Sequence, residues 1–148
     1  MLTTLLLIQI LATGFMTGLI WFVQVVHYPL FSRVGTREFV AYEDAHVRRT
    51  TLIVAPAMLI EAAVALALLV FAPDRAMQLL AWIGFALLVL IWISTIALQV
   101  PRHRELATGF VPASANRLSN SNWIRTAAWS IRLLVATAML AAALPPIA

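Results

Sequence analysis

Long apolar runs alternate with short polar segments along this chain, at about residues 2–28, 50–71, 76–100 and 122–144. A helix of roughly 20 apolar residues crosses about 30 Å of hydrocarbon, so each run is long enough to span a bilayer. The pattern predicts an all-α integral membrane fold, a single four-helix transmembrane bundle occupying residues 1–148. A charged helical extension precedes its second helix, so the helices expected are about 2–28, 37–71, 76–100 and 122–144.

The first run has no charge ahead of it and exceeds a signal-peptide core, which predicts a retained helix. Its polar residues are not scattered. Gln9, Thr13, Thr17, Gln24 and His27 follow at intervals of four, four, seven and three, forming one stripe that should face other helices. Gly14 and Gly18 form a Gly-x-x-x-Gly pair suited to close helix approach, within the bundle or in a homo-oligomer. Tyr28-Pro29 is expected to end this helix. Thr36 is the expected N-cap of the next, which runs through the charged segment with a kink at Pro56. From Arg37 to Phe71 it would be about 52 Å long, more than the bilayer core. Pro73-Asp74-Arg75 reads as a tight turn, Pro101 as the end of helix three, and residues 102–121 as the longest polar connection. Pro145-Pro146 is expected to stop the last helix.

The charged stretch from Phe39 to Arg49 carries the candidate chemistry. As a helix it sets Phe39, Tyr42, Glu43 and His46 on one face. Glu43 and His46 form a Glu-x-x-His pair, a spacing that lets a carboxylate and an imidazole reach one metal ion, as in di-iron carboxylate bundles. His27 ends helix one, His46 precedes helix two and His103 follows helix three, so all three histidines fall at the same end of an up-down bundle. His27, Glu43, His46 and His103 are therefore the candidate ligands of a transition metal, iron or copper before zinc. Asn122 and Arg125 open helix four at that level and are candidates for orienting a substrate oxygen. Haem b held by two histidines is an alternative. So is a plainer account, in which amphipathic side chains gather at the membrane interface without a ligand.

Composition narrows the picture further. The chain is 63% hydrophobic and 11% charged, far from the balance of a soluble domain. With no cysteine, disulfides, thiolate metal sites and thiol nucleophiles are excluded. Lysine is absent, and the arginines flank the apolar runs instead of forming a stripe, which argues against nucleic-acid binding. Seven arginines (33, 37, 48, 49, 102, 104 and 117) lie in the first and third connections and one, Arg75, in the second. The positive-inside rule then places both termini on the non-cytoplasmic side of a bacterial-type inner membrane.

Glu61 lies near the middle of run two, where an unpaired carboxylate is costly. Arg132 reaches a similar depth in run four, which predicts a buried pair. A non-enzymatic binding or transport subunit, using the Gln9–Gln24 stripe with Glu61 as its ionisable centre, is the alternative to an enzyme. Trp21, Trp92 and Trp129 are candidates to line a pocket for a flat hydrophobic molecule.

Pro101-Arg102-His103-Arg104-Glu105-Leu106 and Asn122-Trp123-Ile124-Arg125 resemble short motifs of the anthrone-oxygenase-like family of small four-helix membrane proteins. Members tend to carry Asn where His103 stands. The resemblance implies oxygenation of a polycyclic aromatic or quinol-like substrate, in a family regarded as needing no cofactor. Together with the histidine cluster it leads to the expected function, a membrane-embedded metal-dependent oxidoreductase or oxygenase acting on a lipophilic substrate.

Overall fold

The computed structural model describes residues 1–144; the expected stop at Pro145-Pro146 lies outside the described residues. Helix α1 (Leu2–Phe22) continues as a π-helical turn, Val23–His27, and then a 3-10 segment, Tyr28–Arg33. Helix α2 covers Phe39–Phe71. Helix α3 (Arg75–Ser94) passes through a second π-helical turn, Thr95–Gln99, into α4 (Val100–Leu106). Helix α5 covers Pro112–Ala143. The result is four helical rods of 32 or 33 residues, all long and apolar enough to cross a membrane.

Several boundaries differ from the sequence expectation, for one physical reason. A proline inside a helix lacks an N–H and crowds the carbonyl four residues earlier. For Pro29 and Pro101 that carbonyl belongs to Val25 and Ala97, and each lies within a π-helical turn. The widened turn absorbs the proline instead of ending the helix. Rod one therefore reaches Arg33 and rod three reaches Leu106, beyond the expected ends at 28 and 100. The long polar connection expected over 102–121 shrinks to residues 107–111, because α5 begins at Pro112, where proline suits the first turn. Gly109, at φ 149°, turns the chain there. Helix α2 begins after Glu38, not at a Thr36 cap, and runs through Pro56 unbroken. At the other end, the Asp74 side chain accepts from the Met77 N–H at 2.9 Å and caps α3.

Around the bundle the order is α1, α2, α3, α5, with the α2–α3 seam the least closely packed. Two apolar clusters fill the interior. One, at the arginine-rich end, includes Met16, Ile20, Phe31, Phe39, Leu106 and Leu118. The other holds Leu6, Val64, Leu68, Met77, Ala81 and Met139. Between them lies a buried polar layer. Thr13 donates to Glu61 Oε1 at 2.7 Å, Trp129 Nε1 to Glu61 Oε2 at 3.1 Å and Arg132 Nε to Glu61 Oε1 at 3.2 Å. Lipid tails are as apolar as leucine, so apolar burial alone does little to hold such helices together. Polar ties of this kind help fix which faces meet.

Candidate functional site

The two π-helical turns lie at the same end of the bundle and shape the site. The first closes on His27; the second closes on Gln99, one turn before His103. Such turns are uncommon and recur at functional sites because they re-aim side chains that regular helix would direct elsewhere. From α2, the i, i+3 spacing brings Glu43 and His46 to the same place, with Glu43 fully buried.

All four expected ligands meet there, in two hydrogen-bonded pairs. His27 Nε2 and His46 Nδ1 lie 2.8 Å apart, and the Thr50 hydroxyl reaches the same His46 Nδ1 at 3.2 Å. His103 Nδ1 lies 2.5 Å from Glu43 Oε1. A carboxylate oxygen accepts, so His103 donates from Nδ1, and its Nε2 lies 3.2 Å from the Tyr28 hydroxyl. The pairs adjoin: the His46 and His103 ring centroids are 5.4 Å apart. Phe31 packs edge-on against both His27 and His46, holding those rings in place. Glu43 Oε2 is buried without a hydrogen-bond partner. Among the described residues no three His, Asp or Glu side chains are grouped to hold a metal ion as they stand. His103 is as much a part of the cluster as His27, since Pro101 does not turn it away.

Beside the cluster is a cavity of about 570 Å³. Its polar end is made by Tyr28, Glu43, His46, Gln99, His103 and Arg125, and its apolar body by Met16, Ile20, Val23, Val54, Met58 and Trp92. Arg125 is buried, with its guanidinium 5.2 Å from the centre of the Trp129 ring. Among the described residues it forms no ion pair, and its Nε has no partner. Asn122 is not part of this wall. Its Nδ2 donates to Gln24 Oε1 at 2.9 Å, tying α5 to the π-helical turn of rod one.

Other sequence candidates find structural partners. The polar stripe of rod one is consumed in packing: Gln9 donates to Thr13, Thr17 to the Thr13 and Trp129 carbonyls, and Gln24 to the Ser119 carbonyl. It therefore offers little support for a polar transport path. Gly14 faces Leu133 of α5, while Gly18 has open space beside it. Trp21 donates to Ser130 on the exposed surface, and Trp129 carries Arg125 on its face; of the three candidate tryptophans, Trp92 alone lines the cavity. Tyr28 was missed as a site residue, although its position beside His27 and before Pro29 was the available signal.

No family model matches this chain, and no curated protein or solved structure is significantly similar to it.

Proposed function

We propose that this chain is a membrane-embedded, metal-dependent oxidoreductase or oxygenase acting on a lipophilic aromatic or quinone-like substrate at its arginine-rich, cytoplasmic end. One observation carries this reading: Glu43, His46 and His103 line the polar end of an apolar cavity, with His27 hydrogen-bonded to His46 beside them. The resemblance of the Pro101–Leu106 and Asn122–Arg125 segments to anthrone-oxygenase-like motifs supports the substrate class.

The donor set suits a transition metal, being three imidazoles and a carboxylate. The unpartnered Glu43 Oε2 is a buried acceptor lacking a ligand in the protein. To serve as ligands, His27 and His46 would have to exchange their mutual hydrogen bond for the metal, a small rearrangement at 2.8 Å separation. A bound metal would supply oxygen activation. The chain's own residues supply the rest. Glu43 fixes the tautomer of His103, and His103 with Tyr28 forms a chain able to take up a substrate proton. Arg125 faces a developing substrate oxyanion. In the overall reaction a methylene becomes a carbonyl, with one atom of dioxygen entering the product and the other leaving as water.

The Glu43–His103–Tyr28 chain also favours a second reading, in which the same oxidation proceeds by acid–base chemistry alone. Metal analysis separates the two. Elemental analysis of purified protein, before and after titration with iron, copper and zinc, is expected to give stoichiometric metal. Metal-free protein that gains none on titration overturns the metal-dependent reading, and an intense Soret band would instead identify haem.

A further inference from the structure

The cavity has an opening to the bilayer and an unusual set of unpartnered groups. Leu59 of α2 and Ile96 of the second π-helical turn both line it, yet they are 60% and 64% exposed. They lie on the loosely packed α2–α3 seam, so the cavity opens sideways toward lipid. Its walls also hold buried hydrogen-bond donors that the protein leaves unused. Arg125 is more than nine-tenths buried and, although its guanidinium lies beside the Tyr28 hydroxyl, its Nε has no partner; the Trp92 Nε1–H, elsewhere in the lining, is likewise unpartnered. Leaving a buried donor unsatisfied is destabilising, and a buried guanidinium without a carboxylate more so. A ligand carrying a negatively charged acceptor oxygen relieves this. The cavity lining extends from His46 at its polar end to Met58, about 18 Å along α2, a length that suits a molecule with an apolar body and not a small inorganic ion.

We propose that the cavity binds a lipid-soluble oxyanion, taken up from the bilayer between α2 and α3, with its charged oxygen on Arg125 and its apolar body toward Met16 and Met58. This deepens the functional reading above by defining the class of molecule its cavity admits. The binding step needs no metal, so it is tested on protein treated with chelator, while metal content is measured separately.

Bromine quenches tryptophan fluorescence at contact, so brominated amphiphiles report occupancy beside Trp92. Purified protein in nanodiscs is titrated with terminally brominated undecanoate, with its methyl ester and with the corresponding bromoalkyl phosphate. The acid or the phosphate is expected to bind about 10- to 100-fold more tightly than the ester, the range of a charge-assisted hydrogen bond. The tighter of the two identifies the preferred head, a free carboxylate or a phosphate. Arg125→Leu should bring the anionic probes down to the ester, and Arg125→Lys should retain a preference for anions. Should Arg125→Leu not fold, Arg125→Gln, which keeps hydrogen-bond donors and removes the charge, must still lower the affinity for the anionic probes toward that of the ester. Equal binding of acid, phosphate and ester to wild type overturns the proposal, as does a preference for anions that survives Arg125→Leu.

Discussion

Arg132 Nε donates to Glu61 Oε1 at 3.2 Å, joining α5 to α2 in the polar layer midway along the bundle. Arg132 also donates to the Gly84 carbonyl of α3, so one side chain ties three helices. Glu61 accepts from Thr13 and Trp129 as well, which brings in α1. Removing one member of such a buried pair strands the other, an effect of about 3–5 kcal/mol. Glu61→Leu and Arg132→Leu should each lower the unfolding midpoint in detergent markedly. The double variant should recover much of the loss, because it leaves no unpaired charge. A double variant no more stable than the worse single would show that the two side chains do not act as a pair.

The Glu61–Arg132 pair was legible because both residues are ionisable and lie at equal depth in apolar runs; lipid leaves them few alternatives. The four helices were legible from length and hydropathy for the same reason. The convergence of the histidines followed from up-down topology. What the sequence hid was the treatment of Pro29 and Pro101. Proline reads as a helix end, and nothing local tells an end from a π-helical turn that absorbs the ring. Each choice depends on packing around the turn, such as Asn122 against Gln24 and Ser121 against Gln99. The depth of His103, the start of α5 and the inclusion of Tyr28 all depended on that choice. Arg125 and Asn122 looked equivalent in sequence, being one turn apart, yet Arg125 faces the cavity and Asn122 faces the π-helical turn of rod one.

Asn122 should accordingly behave as a packing residue. It is fully buried, and its partner Gln24 is 4% exposed. Asn122→Ala leaves the Gln24 oxygen without a donor and should destabilise the protein by about 1–3 kcal/mol. Binding of the brominated acid should stay within about twofold of wild type, since its affinity rests on the charge-assisted contact of Arg125. A large loss of binding with unchanged stability would return Asn122 to the substrate wall.

The arginines set a topology that can be checked directly. Arg33, Arg37, Arg48, Arg49, Arg102, Arg104 and Arg117 all belong to the end of the bundle that carries the histidines. The positive-inside rule predicts that this end is cytoplasmic and that both termini lie on the opposite side. Paired C-terminal reporters, one active only in the cytoplasm and one only outside it, should give signal from the second. Activity from the cytoplasmic reporter alone would invert the bundle and move the cavity mouth to the other leaflet.

The ligand assignment makes the sharpest demand on three variants, His27→Ala, His46→Ala and His103→Ala. A stable site in a bundle takes three or four protein ligands, and Glu43 with His46 supplies at most part of one. His27 and His46 share their ring nitrogens at 2.8 Å, so loss of either removes a donor from one pair and exposes the other. Metal binding should be abolished in both variants. His103 is engaged differently, through Nδ1 to Glu43 and Nε2 to Tyr28, so it is the weakest of the four candidate ligands and also orients that carboxylate. His103→Ala should therefore weaken metal binding without abolishing it. Partners of metal ligands typically contribute about 10- to 100-fold in affinity. None of the three should unfold the bundle, because the Glu61–Arg132 layer and the second apolar cluster, around Leu6, Leu68 and Met139, lie elsewhere along the rods. Metal-to-protein ratios measured beside a thermal melt of each variant separate loss of ligand from loss of fold. A His46→Ala protein that melts like wild type and keeps its metal would remove the cluster from consideration as a metal centre, leaving the Glu43–His103–Tyr28 chain to act by proton transfer.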